Sequence, residues 1–204
     1  MKKVNLFLII TVVAVLVAFL NLSVFIYKIG KITGHAADTG VANLTVEAEV
    51  NVNFTTDSIE WGSGKVTAGQ TSATLNTADN SATNITNGNW TGNTAGLVLR
   101  NIGNVNVSLT LQAGKAAAAF VGGTSPDYEW NISDTNLSGS CKESNVALGE
   151  FFDVNSTGPS AIICNPLGFD NAIDSIRIDI KLVIPYDSTT GVLTDTITAT
   201  ATAV

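Results

Sequence analysis

The chain of 204 residues has one histidine, two cysteines, one methionine and four prolines, and only 13% of its residues are charged. The histidine, His35, follows closely on an apolar N-terminal run, so no Ser-His-Asp or Cys-His arrangement can be assembled in the body of the chain. The same scarcity removes histidine-based zinc sites. No GxxxxGK[ST] and no strand-linked GxGxxG occurs, which leaves no phosphate-cradling loop and no implied cofactor. Gly, Asn, Ser and Thr stand where Lys, Glu and Arg usually do, and that composition works against long solvated helices and favours strands.

The few charges are unevenly placed. Lys2, Lys3, Lys28 and Lys31 flank the apolar run, and every Asp and Glu lies at or beyond Asp38. From Asp38 onward, 17 acidic residues face six basic ones, a difference of −11. Such a surface repels nucleic acid, whose binding needs a basic face to displace condensed counterions.

From Val4 to Tyr27 the chain is apolar and uncharged, long enough as a helix to cross a hydrocarbon core of about 30 Å. The sequence divides into an anchor over 1–31 (helix about 4–27, in contact with membrane lipid), a juxtamembrane spacer over 32–41 and an extracytoplasmic domain over 42–204. The run exceeds the h-region of an ordinary signal peptide, which favours an uncleaved anchor. Gly34-His35-Ala36-Ala37 offers small residues for a cut, and cleavage there would leave a secreted or filament-incorporated domain. No Cys follows the run, which excludes a lipoprotein signal. Two lysines on each side leave the orientation open; the cysteines and sequons place the C-terminal part outside.

Beyond the spacer the apolar period is two. Leu44, Val46, Ala48, Val50, Val52 and Phe54 alternate with Thr45, Glu47, Glu49, Asn51 and Asn53, as in a half-buried strand. The pattern returns at Val105, Val107, Leu109 and Leu111, at Tyr128, Trp130 and Ile132, and at Ile176, Ile178, Ile180, Leu182 and Ile184. A last strand sets Leu193, Ile197, Ala199 and Ala201 against a threonine face. With turn signals between them, these segments predict an all-β fold, an antiparallel Ig-like or jelly-roll-like β-sandwich of about eight strands behind one transmembrane helix. The stretch from Gly62 to Gly96, poor in large apolar residues, reads either as an exposed hairpin excursion or as partly mobile.

Cys141 and Cys164 lack CxxC spacing and a histidine cluster, which points to a structural disulfide. Sequons for N-glycosylation stand at Asn43, Asn53, Asn84, Asn89, Asn106, Asn131, Asn136 and Asn155, with another at Asn21 inside the apolar run. A composition about one-fifth Ser and Thr yields roughly half that number by chance. Asn53, Asn106 and Asn131 fall on the polar phase of their strands, where a glycan fits. Paired carboxylates for glycoside hydrolysis can be sought among Glu143, Glu150 and Asp153 or Asp170, Asp174 and Asp179, although surface acidity accounts for them more simply. Asp170 and Asp174 also form a weak calcium candidate without EF-hand spacing. Of the three tryptophans, Trp130 is in core phase, Trp61 precedes a turn, and Trp90 within NGNWTGN is the candidate exposed aromatic.

GLVLRNIGNVNVSLTL (Gly96 to Leu111) resembles the N-x-G-N-x-x-V hairpin of Ig-like surface domains of archaea. DSIRIDIKLVIPYDSTTGVLTDTITATATA (Asp174 to Ala203) is similar to their closing pair of strands, and FTTDSIEWGSGKV (Phe54 to Val66) to a segment of small archaeal membrane-anchored surface proteins. A more distant similarity is to the exported filament-forming sandwiches of the TasA and camelysin class. The chain departs from class-typical pilins, lacking Gly or Ala before the apolar run and Glu shortly after it. The resemblance implies no catalytic residues. The expected function is a non-enzymatic structural or adhesive envelope glycoprotein, partnered by itself or by other envelope proteins. The alternatives are a filament subunit joined by strand complementation and a carbohydrate-binding surface module.

Overall fold

A computed structural model describes residues 6–29, 38–78, 84–91, 95–135, 139–142, 144, 147–154 and 161–204. The segment Gly34 to Ala37, the sequons Asn136 and Asn155, and Glu143 lie outside the described residues. The chain falls into two compact units, Met1–Thr45 and Val46–Val204.

The first unit holds the 24-residue helix α1 (Leu6–Ile29), which is about 36 Å long at 1.5 Å per residue. Its stretch from Ile9 to Lys28 is long and apolar enough to cross a membrane. Its polar members bond within the helix: Asn21 Nδ2 donates to the Val17 carbonyl and Ser23 Oγ to the Phe19 carbonyl, each at 2.9 Å. Such back-bonding satisfies hydroxyls and amides where lipid offers no partner.

The second unit is the antiparallel all-β sandwich that the alternation requires, with ten strands among the described residues rather than about eight. In chain order these are β1 (Val52–Thr56), β2 (Ser72–Asn76), β3 (Ile85–Thr86), β4 (Leu97–Asn101), β5 (Val107–Ala113), β6 (Asp127–Asp134), β7 (Phe151–Asp153), β8 (Ala161–Leu167), β9 (Ser175–Pro185) and β10 (Ile197–Ala203), with a one-turn helix α2 (Ala117–Phe120) after β5. The surplus comes from short strands of two and three residues, β3 and β7, which have no room to display a period.

The eleven-residue β9 is the axis of a seven-stranded sheet. One of its edges pairs with β6 over Ile176 to Val183, and β7 lies beyond. Its other edge is shared, with β4 on Ser175 to Ile178 and β2 on Lys181 to Pro185. The second sheet is β10-β5-β8. Between the sheets Leu75, Leu99, Val107, Leu109, Leu111, Trp130, Ile132, Ile163, Leu167, Ile176 and Ile178 are fully buried, each contributing roughly 1.5–3 kcal/mol of transfer free energy. Cys141 and Cys164 form a disulfide with Cα atoms 5.2 Å apart. It pins the 139–142 segment beside β8, and closing a loop of this size contributes about 3 to 4 kcal/mol in the chain-entropy description.

Two expectations need correction. Gly62 to Gly96 is not an exposed excursion over residues 72–77: β2 places Ala73 and Leu75 in the core and Thr77 is wholly buried. Small side chains suffice there because β2 packs against the long β9. The long strand expected from Leu44 to Phe54 is sheet only from Val52. Asp38 to Asn51 lies outside any sheet, with Val41 84%, Leu44 88% and Val46 75% exposed.

Candidate functional site

What the second unit holds ready is backbone and apolar surface. β10 ends its sheet, paired only with β5. The Gly114 amide donates to the Thr196 carbonyl (2.8 Å) and the Val204 amide to the Asn106 carbonyl (3.1 Å). With the register of Ile197 opposite Ala113, the even-numbered residues from Thr196 to Val204 bond to β5. Ile197, Ala199, Ala201 and Ala203 therefore turn their N–H and C=O groups to the open edge. The side chains of Ile197, Ala199 and Ala201 face inward, half-buried, while Thr198, Thr200 and Thr202 stand in solvent. Across the seam lies β1, which approaches β10 without pairing with it.

At the N-terminal end of β10 the second sheet stops short, and the irregular segments 57–66 and 187–196 take its place over β9. They leave a cleft of about 870 Å³ whose lining includes Trp61, Trp90, Tyr128, Leu182, Ile184 and Leu193. Trp90 is not the exposed aromatic expected from its Asn- and Gly-rich neighbours. Its half-buried indole lies against the α-carbons of Gly64 and Gly88, where an added Cβ would collide with Cγ at the first and fall 2.7 Å from Cε3 at the second. Only glycine permits that approach. Tyr128 is buried beside Asp195; burial first, then the Asp195 charge, push its phenol well above the ordinary range. Asp187 accepts the Thr124 amide (2.9 Å) and hydroxyl (2.7 Å), which hold its carboxyl below the usual range.

The segment outside the sheets is held at its base. Asn104 Oδ1 accepts the Glu49 amide (2.7 Å), Asn104 Nδ2 donates to the Glu47 carbonyl (2.9 Å), and the Ile102 amide donates to the Asn51 carbonyl (2.9 Å). The N-x-G-N turn thus grips Glu47 to Asn51. Gly103 is required by close approach, since a Cβ there would collide with the Glu49 carbonyl oxygen and fall 3.0 Å from the Asn51 nitrogen.

The described carboxylates named from sequence have partners of several kinds. Asp174 accepts from Arg100 Nε at 2.7 Å, and Asp170 accepts the Ala172 amide at 3.1 Å. Asp179 is buried against Arg177 and Thr77. Asp127, Glu129 and Asp153 do cluster, and Lys181 Nζ pairs with Glu129, so one lysine offsets one of the three carboxylates. Of the sequons, Asn43, Asn53 and Asn89 are exposed and Asn106 half-buried. Asn84 and Asn131 are 7% and 8% exposed, which corrects the wet-face placement of Asn131: it sits between Phe151 on β7 and Asp179 on β9, where its cross-strand neighbours leave it little contact with water.

Fold and site together define an antiparallel β-sandwich with a seven-residue open edge on β10, an alternating segment outside the sheets and an N-terminal apolar helix. Comparison with protein-family models, with curated proteins and with solved structures found no match.

Proposed function

We propose that this chain is a non-enzymatic structural protein of the cell surface, held in the membrane by α1 with its β domain outside, whose copies join by strand addition into a filament. One observation carries the reading: Ala42 to Val46 alternates apolar and polar residues outside any sheet, with Leu44 88% and Val46 75% exposed. Large aliphatic side chains left in water at strand spacing are unfavourable by about 1.5–3 kcal/mol each relative to burial. Pairing with a sheet edge removes that penalty and supplies the backbone with partners. The disulfide supports an oxidising compartment. The same segment separates this reading from the carbohydrate-binding one, to which it contributes nothing.

The test is the state of association of the full-length protein. Light scattering in detergent and negative-stain images of expressing cells are expected to show multimers and filaments for the wild type. The double variant Leu44→Asp/Val46→Asp is expected to stay monomeric with an unchanged melt. A wild type that remains monomeric across the accessible concentration range overturns the reading.

A further inference from the structure

Resting on that reading, we infer that the acceptor is the open edge of β10, and that it takes residues Ala42 to Ala48 of a second copy in antiparallel register, Val46 opposite Ala199. Three independent features of the chain agree on this pairing.

The first is hydrogen bonding. β10 offers the outward N–H and C=O groups of Ile197, Ala199, Ala201 and Ala203 along seven residues, the longest unpaired run of any edge strand among the described residues. The opposite edge of that sheet, on β8, is partly covered: the Lys142 amide donates to the Pro166 carbonyl and the Gly168 amide to the Ser140 carbonyl. β7 and β3 have three and two residues, and β1 has five with an irregularity between Phe54 and Thr56.

The second is side-chain size. In this register Leu44 meets Ala201, Val46 meets Ala199 and Ala48 meets Ile197. These three inner-face pairs each set a large residue against a small one, with Ala42 against Ala203 at the end of the strand, so that Leu44 and Val46 lie beside alanines. A slip by one residue would turn Leu44 and Val46 to solvent.

The third is the outer face. Asn43, Thr45 and Glu47 fall opposite Thr202, Thr200 and Thr198. No like charges meet, and the Asn43 sequon points away from the sandwich. The Asn104 grip on Glu47 and Glu49 fixes where the donor leaves its own domain. The seven residues from Ala42 to Ala48 span roughly 23 Å as a strand, the length of the seven-residue β10 on a neighbour.

The experiment uses full-length variants with one added cysteine, Val46→Cys with one affinity tag and Ala199→Cys with another, each retaining the native disulfide. They are purified separately, mixed and mildly oxidised. A disulfide-linked heterodimer carrying both tags is expected. As a control, Val46→Cys mixed with Ser108→Cys, on β5, should give none. In parallel, Ala199→Pro removes an amide that β5 does not use, so the variant is expected to melt like the wild type and to lose multimers. If Leu44→Asp/Val46→Asp abolishes association while no Val46–Ala199 link forms and Ala199→Pro still assembles, the β10 assignment is wrong and strand addition itself stands. If neither set of variants alters association, both fail.

Discussion

The Thr77 hydroxyl donates to Asp179 Oδ1 at 2.8 Å, joining residues 102 positions apart in a fully buried contact. The same hydroxyl accepts the Ile180 amide at 2.8 Å, and Arg177 bonds both the Asp179 carboxylate and the Thr77 carbonyl. Gly96 makes room, because a Cβ there would fall 2.5 Å from Asp179 Oδ1. A charge buried in this way is tolerated only while every bond is in place. Thr77→Val keeps the shape and removes the hydroxyl. It is expected to lower stability by about 2 kcal/mol, read as a fall in Tm of about 4 to 8 °C in a domain of this size. A melt within a degree of wild type would show that the network is not stabilising.

Trp90 gives a second prediction. Gly88→Ala places a methyl 2.7 Å from the indole and 3.0 Å from the Ala73 Cβ, and Gly64→Ala intrudes further. Both should displace the ring, costing about 1–3 kcal/mol, with a change in the near-ultraviolet circular dichroism. Full retention of that spectrum in both variants would remove Trp90 from the wall of the cleft.

Tyr128 makes the domain sensitive to alkali. Its phenol is raised by burial and by Asp195, so above about pH 10 the unfolded chain releases a proton that the folded chain keeps. The folded state then binds more protons, and stability falls as pH rises; below that range the contribution is intact. Urea midpoints between about pH 9 and about pH 11, on either side of the ordinary phenol value, should drop for the wild type and drop less for Tyr128→Phe. Equal losses in the two proteins would refute the assignment.

Glycans, where a native host adds them, should follow exposure rather than motif. Asn43, Asn53 and Asn89 are open, whereas Asn84 Nδ2 is buried and so is Asn131 Oδ1. Peptide mass spectrometry of native protein is expected to find Asn84 and Asn131 bare, and an occupied Asn131 in soluble folded material would contradict its burial.

Much of the sandwich was written in the sequence as period two. β5, β6, β9 and β10 lie where Val107 to Leu111, Tyr128 to Ile132, Ile176 to Ile184 and Ile197 to Ala201 alternate, because one face of each meets the core. β2 was hidden since its stretch buries Ala73, Leu75 and Thr77, and two of those three carry little hydrophobic signal. Asn131 obeys the alternation and is nevertheless buried: periodicity reports which face a residue shares, and not how far its cross-strand neighbours shield it. The segment from Leu44 to Val50 shows the opposite case. Its alternation is as regular as any, but a strand is a pairing, and this chain does not itself pair it. Trp90 could not be placed from sequence, because its packing depends on Gly64 and Gly88, whose significance appears only when three distant positions meet.

The sequence of β10, ITATATA, has no lysine, no proline and no bulge along it. Those are the devices by which sheet proteins ordinarily keep stray strands from docking on an exposed edge. Under the proposed pairing, a cell producing this chain has to govern timing: the edge must stay solitary during synthesis and export, and take up a neighbour's strand only afterwards. Recombinant material made at high concentration in the cytoplasm would be expected to precipitate for the same reason.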